Sequence, residues 1–195
     1  PAMTGRTVSL VDHGTVKFTV DSSSMTADHI VMSGASDVEV FKIKADASDE
    51  TVPVKTLKFN LPNTVSRSIA KVSLYQTEGS TTRLVQEKTT FASNQVVFEN
   101  LNTLSQPLVI NKDTDSILTL KLSTSNIGTG ANDTAVSGDQ ITFTMTNALV
   151  EALGYSSNKD LTSSDITATS VVSKKQYVYA NRLVATKTAD QPSNL

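Results

Sequence analysis

The chain has 195 residues, a formal net charge of −2 and no cysteine. That length suits one large domain or two small ones and buries a core without covalent staples. The missing cysteines exclude disulfides, thiolate zinc sites and cysteine nucleophiles. The charges are dispersed, and Lys174-Lys175 is the densest basic pair, which argues against nucleic-acid binding, where phosphate contacts need clustered Lys and Arg.

No apolar run approaches the ~20 residues of a membrane-spanning helix. Pro1-Ala2-Met3 reads as the remnant of an expression tag and is set aside. An export signal would then lie outside this chain. The hydrophobic share of 38% is adequate for a sheet protein that is wet on its outer faces. Thr and Val dominate the runs between turns, and both suit a pleated, half-exposed surface.

Alternation at period two is the leading signal along the chain. Val16, Phe18 and Val20 share one face of a first strand. Val38 and Val40 share a face, then Phe41, Ile43 and Ala45 take over, so the parity changes between Val40 and Phe41. A β-bulge there would restore the inward direction. Beyond an acidic knot, Val52 and Val54 alternate, then Leu57, Phe59 and Leu61, with a second parity change. Two such slips in neighbouring strands predict strands that bend across a sandwich.

Ala70, Val72 and Leu74 lead into the polar loop Gln76 to Thr82, and Leu84-Val85 follows, which predicts a hairpin. Val96 with Phe98, Leu108 with Ile110, and Leu118, Leu120 and Leu122 mark three more strands. Ile141, Phe143 and Met145 read as one late strand, and Ile166, Val171 and the pair Tyr177/Tyr179 close the series. Pro62-Asn63, Ser93-Asn94, Asn111-Lys112-Asp113 and Ser137-Gly138-Asp139 are turn signals. Residues 123–138 and 154–164 read as long loops. Asn147 to Gly154 (NALVEALG) fits either a short capped helix or a strand carrying Ala148, Val150 and Ala152 on one side. The neighbouring strands favour the strand. About a dozen short strands at ~8–12-residue spacing predict an all-β fold, an antiparallel β-sandwich in one elongated domain.

Three clusters of oxygen side chains are candidates for calcium, which takes six to eight oxygen ligands. Asp46, Asp49 and Glu50 supply three carboxylates at a strand junction; Asn111, Asp113 and Asp115 alternate in NKDTD; Asn132, Asp133 and Asp139 lie around a loop. None has the spacing of an EF-hand. The competing reading is a solvated turn, because Asp and Asn bond their own backbone. His13 and His29 are the only histidines, and no H-E-x-x-H, G-x-S-x-G or phosphate loop is present. A sugar-stacking platform would draw on Tyr75, Tyr155, Tyr177 and Tyr179, since Trp is absent. Lys42, Lys44 and Lys121 alternate away from the apolar faces, which disfavours a lysine–asparagine staple.

The run DVEVFKIKADASDETVPVKTLKF is an apolar strand ending in Ala, an acidic turn, and a strand carrying Leu-x-Phe. KVSLYQTEGSTTRLVQ, QVVFENL and LVINKDTDSILTLKLS follow in order, and YANRLVATKTADQPSNL closes the chain. This order resembles the immunoglobulin-like sandwich repeats of large bacterial cell-surface proteins of the S-layer or adhesin kind. The resemblance covers residues 36–190 and is weak over 125–165. It implies a sandwich over 4–187 with a connector or tail at 188–195, an extracellular location at the cell surface, and no catalytic residues. It implies calcium as a stabiliser, and neighbouring repeats or copies of the same protein as partners. The expected role is a structural module of a surface layer, stalk or filament. The alternatives are an adhesin or binding module for a glycan or protein, and a hydrolase that would need a histidine to meet a serine or carboxylate in a cleft.

Overall fold

The computed structural model describes residues 12–131 and 133–181. The expected tag remnant and C-terminal connector lie outside the described residues, as does Asn132. The fold is an all-β sandwich with mostly antiparallel sheets, and the only helical pieces among the described residues are short 3₁₀ turns. No helix among them is long and apolar enough to cross a membrane.

The strands in chain order are β1 (Thr15–Val20), β2 (His29–Met32), β3 (Val38–Ser48), β4 (Val52–Asn60), β5 (Ile69–Glu78) and β6 (Thr81–Lys88). They continue with β7 (Gln95–Phe98), β8 (Val109–Ile110), β9 (Ser116–Thr124), β10 (Gln140–Ile141) and β11 (Thr144–Met145). The last are β12 (Val150–Ala152), β13 (Ile166–Thr167), β14 (Val171–Val172) and β15 (Gln176–Tyr179). The first sheet runs β13-β1-β3-β9-β5-β6. The second is built on β4. Leu57 of β4 pairs with Val150 of β12 and also with Phe98 of β7, so β4 is central. β8 and β11 pair with its two ends, and β14 pairs with β11. A small third sheet runs β10-β15-β2.

The period-two pattern becomes one contiguous core. Phe18, Phe41, Ile43, Leu57, Phe59, Leu74, Phe98, Leu118 and Leu120 are all fully buried within it. The register of β3 on β9 shifts between Glu39 and Phe41, so Val40 is the bulged residue and both Val40 and Phe41 point inward. The first predicted slip is therefore a bulge. The second arises the same way. Val54 and Thr56 of β4 face Ala152 and Glu151, and Lys55 between them is the extra residue.

Three expectations change. The loop Gln76 to Thr82 is shorter than its composition implies. β5 and β6 pair up to Glu78 and Thr81, and only Gly79 and Ser80 turn the chain, with Gly79 at φ 57°. Polar Gln76 belongs in the strand because its amide donates to Val109 O and Ser116 Oγ. Ile141 to Met145 is not one strand: β10 joins the small sheet and β11 the β4 sheet. Ser173 Oγ accepts Phe143 N–H at 2.9 Å, between the two halves. The segment Asn147 to Gly154 is a 3₁₀ turn over Asn147–Leu149 followed by strand β12.

Candidate functional site

The link from β3 to β4 carries the chain from the first sheet to the second across Asp49, Glu50 and Thr51. This is the acidic knot of the sequence. Asp49 is exposed and sits at φ 71°, a left-handed conformation that Asp tolerates better than most residues. Glu50 turns inward. Its Oε1 accepts the backbone N–H of Gly14 at 2.8 Å and the hydroxyl of Ser157 at 2.7 Å. Its Oε2 accepts the N–H groups of Ser156 at 2.6 Å and Ser157 at 3.0 Å. One side chain thus ties three distant pieces of chain together. Burial works to raise the Glu50 pKa, but the donated hydrogen bonds of Ser157, Gly14 and Ser156 outweigh it and hold the carboxyl at about 2.

Two glycines make room for this carboxylate. A Cβ on Gly14 would lie 2.6 Å from Glu50 Cγ and 2.9 Å from Ser48 O, and one on Gly154 would collide with Glu50 Oε1 and Ser157 Oγ. We expect Gly154→Ala to destabilise the fold by about 1–3 kcal/mol through overpacking. In a Glu50→Ala background the same change should cost far less, read as a double-mutant cycle in denaturant. Equal costs in both backgrounds would mean that Gly154 does not serve the carboxylate.

The three residues of the knot do not converge. Asp46 lies beside Asp115 instead, and Lys44 Nζ bridges them at 3.4 Å and 2.9 Å. Burial and the neighbouring Asp115 hold Asp46 above the usual carboxylate range, and Lys44 holds Asp115 below it. Members of two predicted clusters are therefore joined, with an ammonium where a cation would sit. Asn111 donates its amide to Glu78, and Asp113 is an exposed turn residue at φ 58°. In the third cluster Asp133 accepts Gly130 N–H at 2.8 Å, while Asp139 binds Arg67 and Ser68. No group of three His, Asp or Glu side chains that could hold a metal ion is present among the described residues. The donors do not fit calcium as a set, because Glu50 is committed to four hydrogen bonds and Asp46 and Asp115 to a lysine.

His13 joins the same corner. Its Nε2 lies 3.1 Å from Asp165 Oδ2, and Nδ1 lies 3.7 Å from Asp12, which is itself bonded by Lys159. The hydrogen bond to Asp165 raises the His13 pKa against the opposing effect of burial. Asp165 is held at about 2, first by the Thr162 hydroxyl and backbone N–H and also by His13. A raised pKa contributes stability that is complete below the ordinary value of 6.5 and is lost as pH climbs through the raised one. The melting-temperature deficit of His13→Asn is expected to be largest in mild acid and to shrink in alkali. A deficit that did not vary with pH would contradict the pairing. His29 is exposed at the start of β2.

The remaining sequence candidates are on outer faces. Lys42 pairs with Glu39 at 2.9 Å, and Lys121 lies over the Tyr75 ring at 4.4 Å. Tyr155 is 70% exposed beside the Glu50 corner. Tyr177 and Tyr179 stand on the outer face of the small sheet, opposite Ile30 and Met32. The partners of Glu50 were invisible to sequence reading: Ser156 and Ser157 lie over a hundred positions away, and Gly154 read as a helix stop.

No family model matches the chain, and no curated protein matches it. Among solved structures, a chain from the crystal structure of a CaDoc0917–CaCohA2 complex is matched at 14% identity. The match covers 85% of this chain and 100% of that one, with a TM-score of 0.30. A likeness at that level carries no argument about either fold or function.

Proposed function

We propose that the chain is a non-catalytic structural module of a bacterial cell-surface protein, a component of a surface layer, stalk or filament with an immunoglobulin-like sandwich. The observation that carries this reading is how the acids are used. Glu50, Asp139 and Asp165 each bind a donor remote in sequence, from Ser156, Ser68 and His13 in turn, so they brace the frame. Such bracing suits a Cys-free module that must stay folded outside the cell. His13 faces carboxylates, not a serine hydroxyl, which supports a structural use of that histidine. The order of sequence motifs supplies the surface setting.

The second reading, a module that binds a protein or glycan at the cell surface, is favoured by the exposed side chains of Ile30, Met32 and Tyr179 on the small sheet. Immunogold labelling of intact source cells with an antibody against this domain tests the location. Dense, regular label on the surface is expected. Label confined to the cytoplasm would overturn both readings.

A further inference from the structure

β2 is an edge strand of the small sheet among the described residues. His29 N–H donates to Lys175 O and Ser33 N–H to Tyr179 O, both at 2.9 Å, so the odd-numbered residues of β2 bond to β15. Ile30 and Met32 alternate to the other side. Met32 O accepts Ala35 N–H and the Thr124 hydroxyl. Ile30 N–H, Ile30 C=O and Met32 N–H have no partner among the described residues. The edge sequence His29 to Ser33 has no Lys, Glu, Pro or bulge to blunt it, devices that sheet proteins use against unwanted pairing.

The face beside this edge is apolar. Tyr177 lies opposite Ile30 and Tyr179 opposite Met32, in parallel register. Ile30 is 43% exposed, and Met32 and Tyr179 are each 36% exposed. At the start of β15, Lys175 continues the face of Tyr177 and Tyr179, and Lys174 adjoins it; both are exposed. Neither ammonium is in an ion pair among the described residues; nearby Asp28 accepts the backbone N–H of Lys175 at 3.0 Å. Among the described residues the strip thus has unpartnered backbone donors and an acceptor, an apolar row, and positive charge at one end.

We propose that this strip docks an extended segment of a partner protein, added as a further strand beside β2. Its side chains are apolar at alternate positions, and acidic at the end beside Lys174 and Lys175. The free backbone groups select a strand, Ile30 and Met32 select the alternation, and the lysine pair selects the acids. This rests on reading the chain as a surface module that meets other proteins.

The test is selection of random peptides displayed on phage against the purified protein, followed by synthesis of the enriched sequences. Enriched peptides are expected to alternate apolar residues and to carry Asp or Glu at one end. Their binding should weaken by about tenfold or more in Ile30→Lys and in the pair Lys174→Glu/Lys175→Glu. It should be unchanged in Val172→Lys, another exposed apolar position, and abolished by N-methylation of alternate peptide nitrogens. Ile30 is a surface residue, and equal melting temperatures would show that the variants fold. No enrichment, or peptides that bind Ile30→Lys as well as the parent, would overturn the proposal. So would a dimer seen by sedimentation that Ile30→Lys dissolves, because the occupant would then be a second copy. A negative selection leaves the surface-labelling result untouched, and cytoplasmic label leaves the peptide binding untouched.

Discussion

Phe59→Ala is expected to lower the unfolding free energy by about 3–5 kcal/mol, the cost of emptying a fully packed aromatic site. Phe59 lies on the central strand of the second sheet and is fully buried. Its ring meets Phe98 edge-on at 6.2 Å and Phe143 at 6.5 Å between centroids. Each such contact contributes about 0.5–1.5 kcal/mol beyond area burial. Phe98 arrives on β7, whereas Phe143 lies between β10 and β11. The ring therefore joins one neighbour of β4 to the link between two sheets, and little can collapse into the hole. Against a total of about 5–15 kcal/mol for an ordinary domain, the loss is large. It should lower the melting temperature by roughly 10 °C, at about 2–4 °C per kcal/mol for a chain of this size. Phe59→Leu, which keeps most of the volume, should cost clearly less. A Phe59→Ala loss below about 1 kcal/mol in denaturant titration would mean that the three rings are not packed as described.

Glu50→Gln is the second large effect and separates charge from shape. The amide matches the carboxylate in size but replaces one acceptor oxygen with an NH₂ donor. Each Glu50 oxygen accepts two hydrogen bonds, so either orientation of the amide sets a donor against donors. An unsatisfied buried group costs about 1–3 kcal/mol; Glu50 and Ser157 are half-buried and Ser156 is exposed, so water recovers part of the cost and a loss of about 1–3 kcal/mol is expected. The pH dependence has a definite sign. The folded pKa of about 2 lies below the ordinary 4.5, so the stabilisation is present above 4.5 and is lost as pH falls towards 2. Parent and variant should therefore differ most near neutrality and converge in strong acid. A difference that persisted undiminished through that range would assign the effect to shape instead of charge.

The strands were legible because burial on one face imposes alternation. The parity break at Val40 and Phe41 located a bulge, and the break between Val54 and Leu57 located the second, since both residues of each pair had to reach one core. The strand from Ile141 to Met145 failed for the opposite reason. Ile141, Phe143 and Met145 are all buried, yet they serve two different sheets, and alternation does not say which sheet a strand joins. β2 was faint because only Val31 of its four residues is buried. At the corner, the sequence showed that acids cluster at a junction but not where each one points. Glu50 turns in because Gly14, Ser156 and Ser157 bring N–H groups to it across the fold, and that convergence has no local signature. Asp46 and Asp115 looked like members of separate calcium sites. They meet because β3 and β9 pair in register beside them, with Lys44 between them.

A carboxylate that accepts three backbone N–H groups and one hydroxyl braces the corner, and it needs no thiol chemistry. That is consistent with a module built without cysteine and with the proposed place at the cell surface.

The measurement that tests this most directly is an NMR titration of the Glu50 side-chain carboxyl carbon, run with and without calcium. The predicted result is a midpoint near 2, well below 4.5 and unchanged by the ion. A midpoint near 4.5, or a carboxyl signal that calcium shifts, would show that Glu50 is not the clip between the two sheets and would return the corner to the metal-site reading.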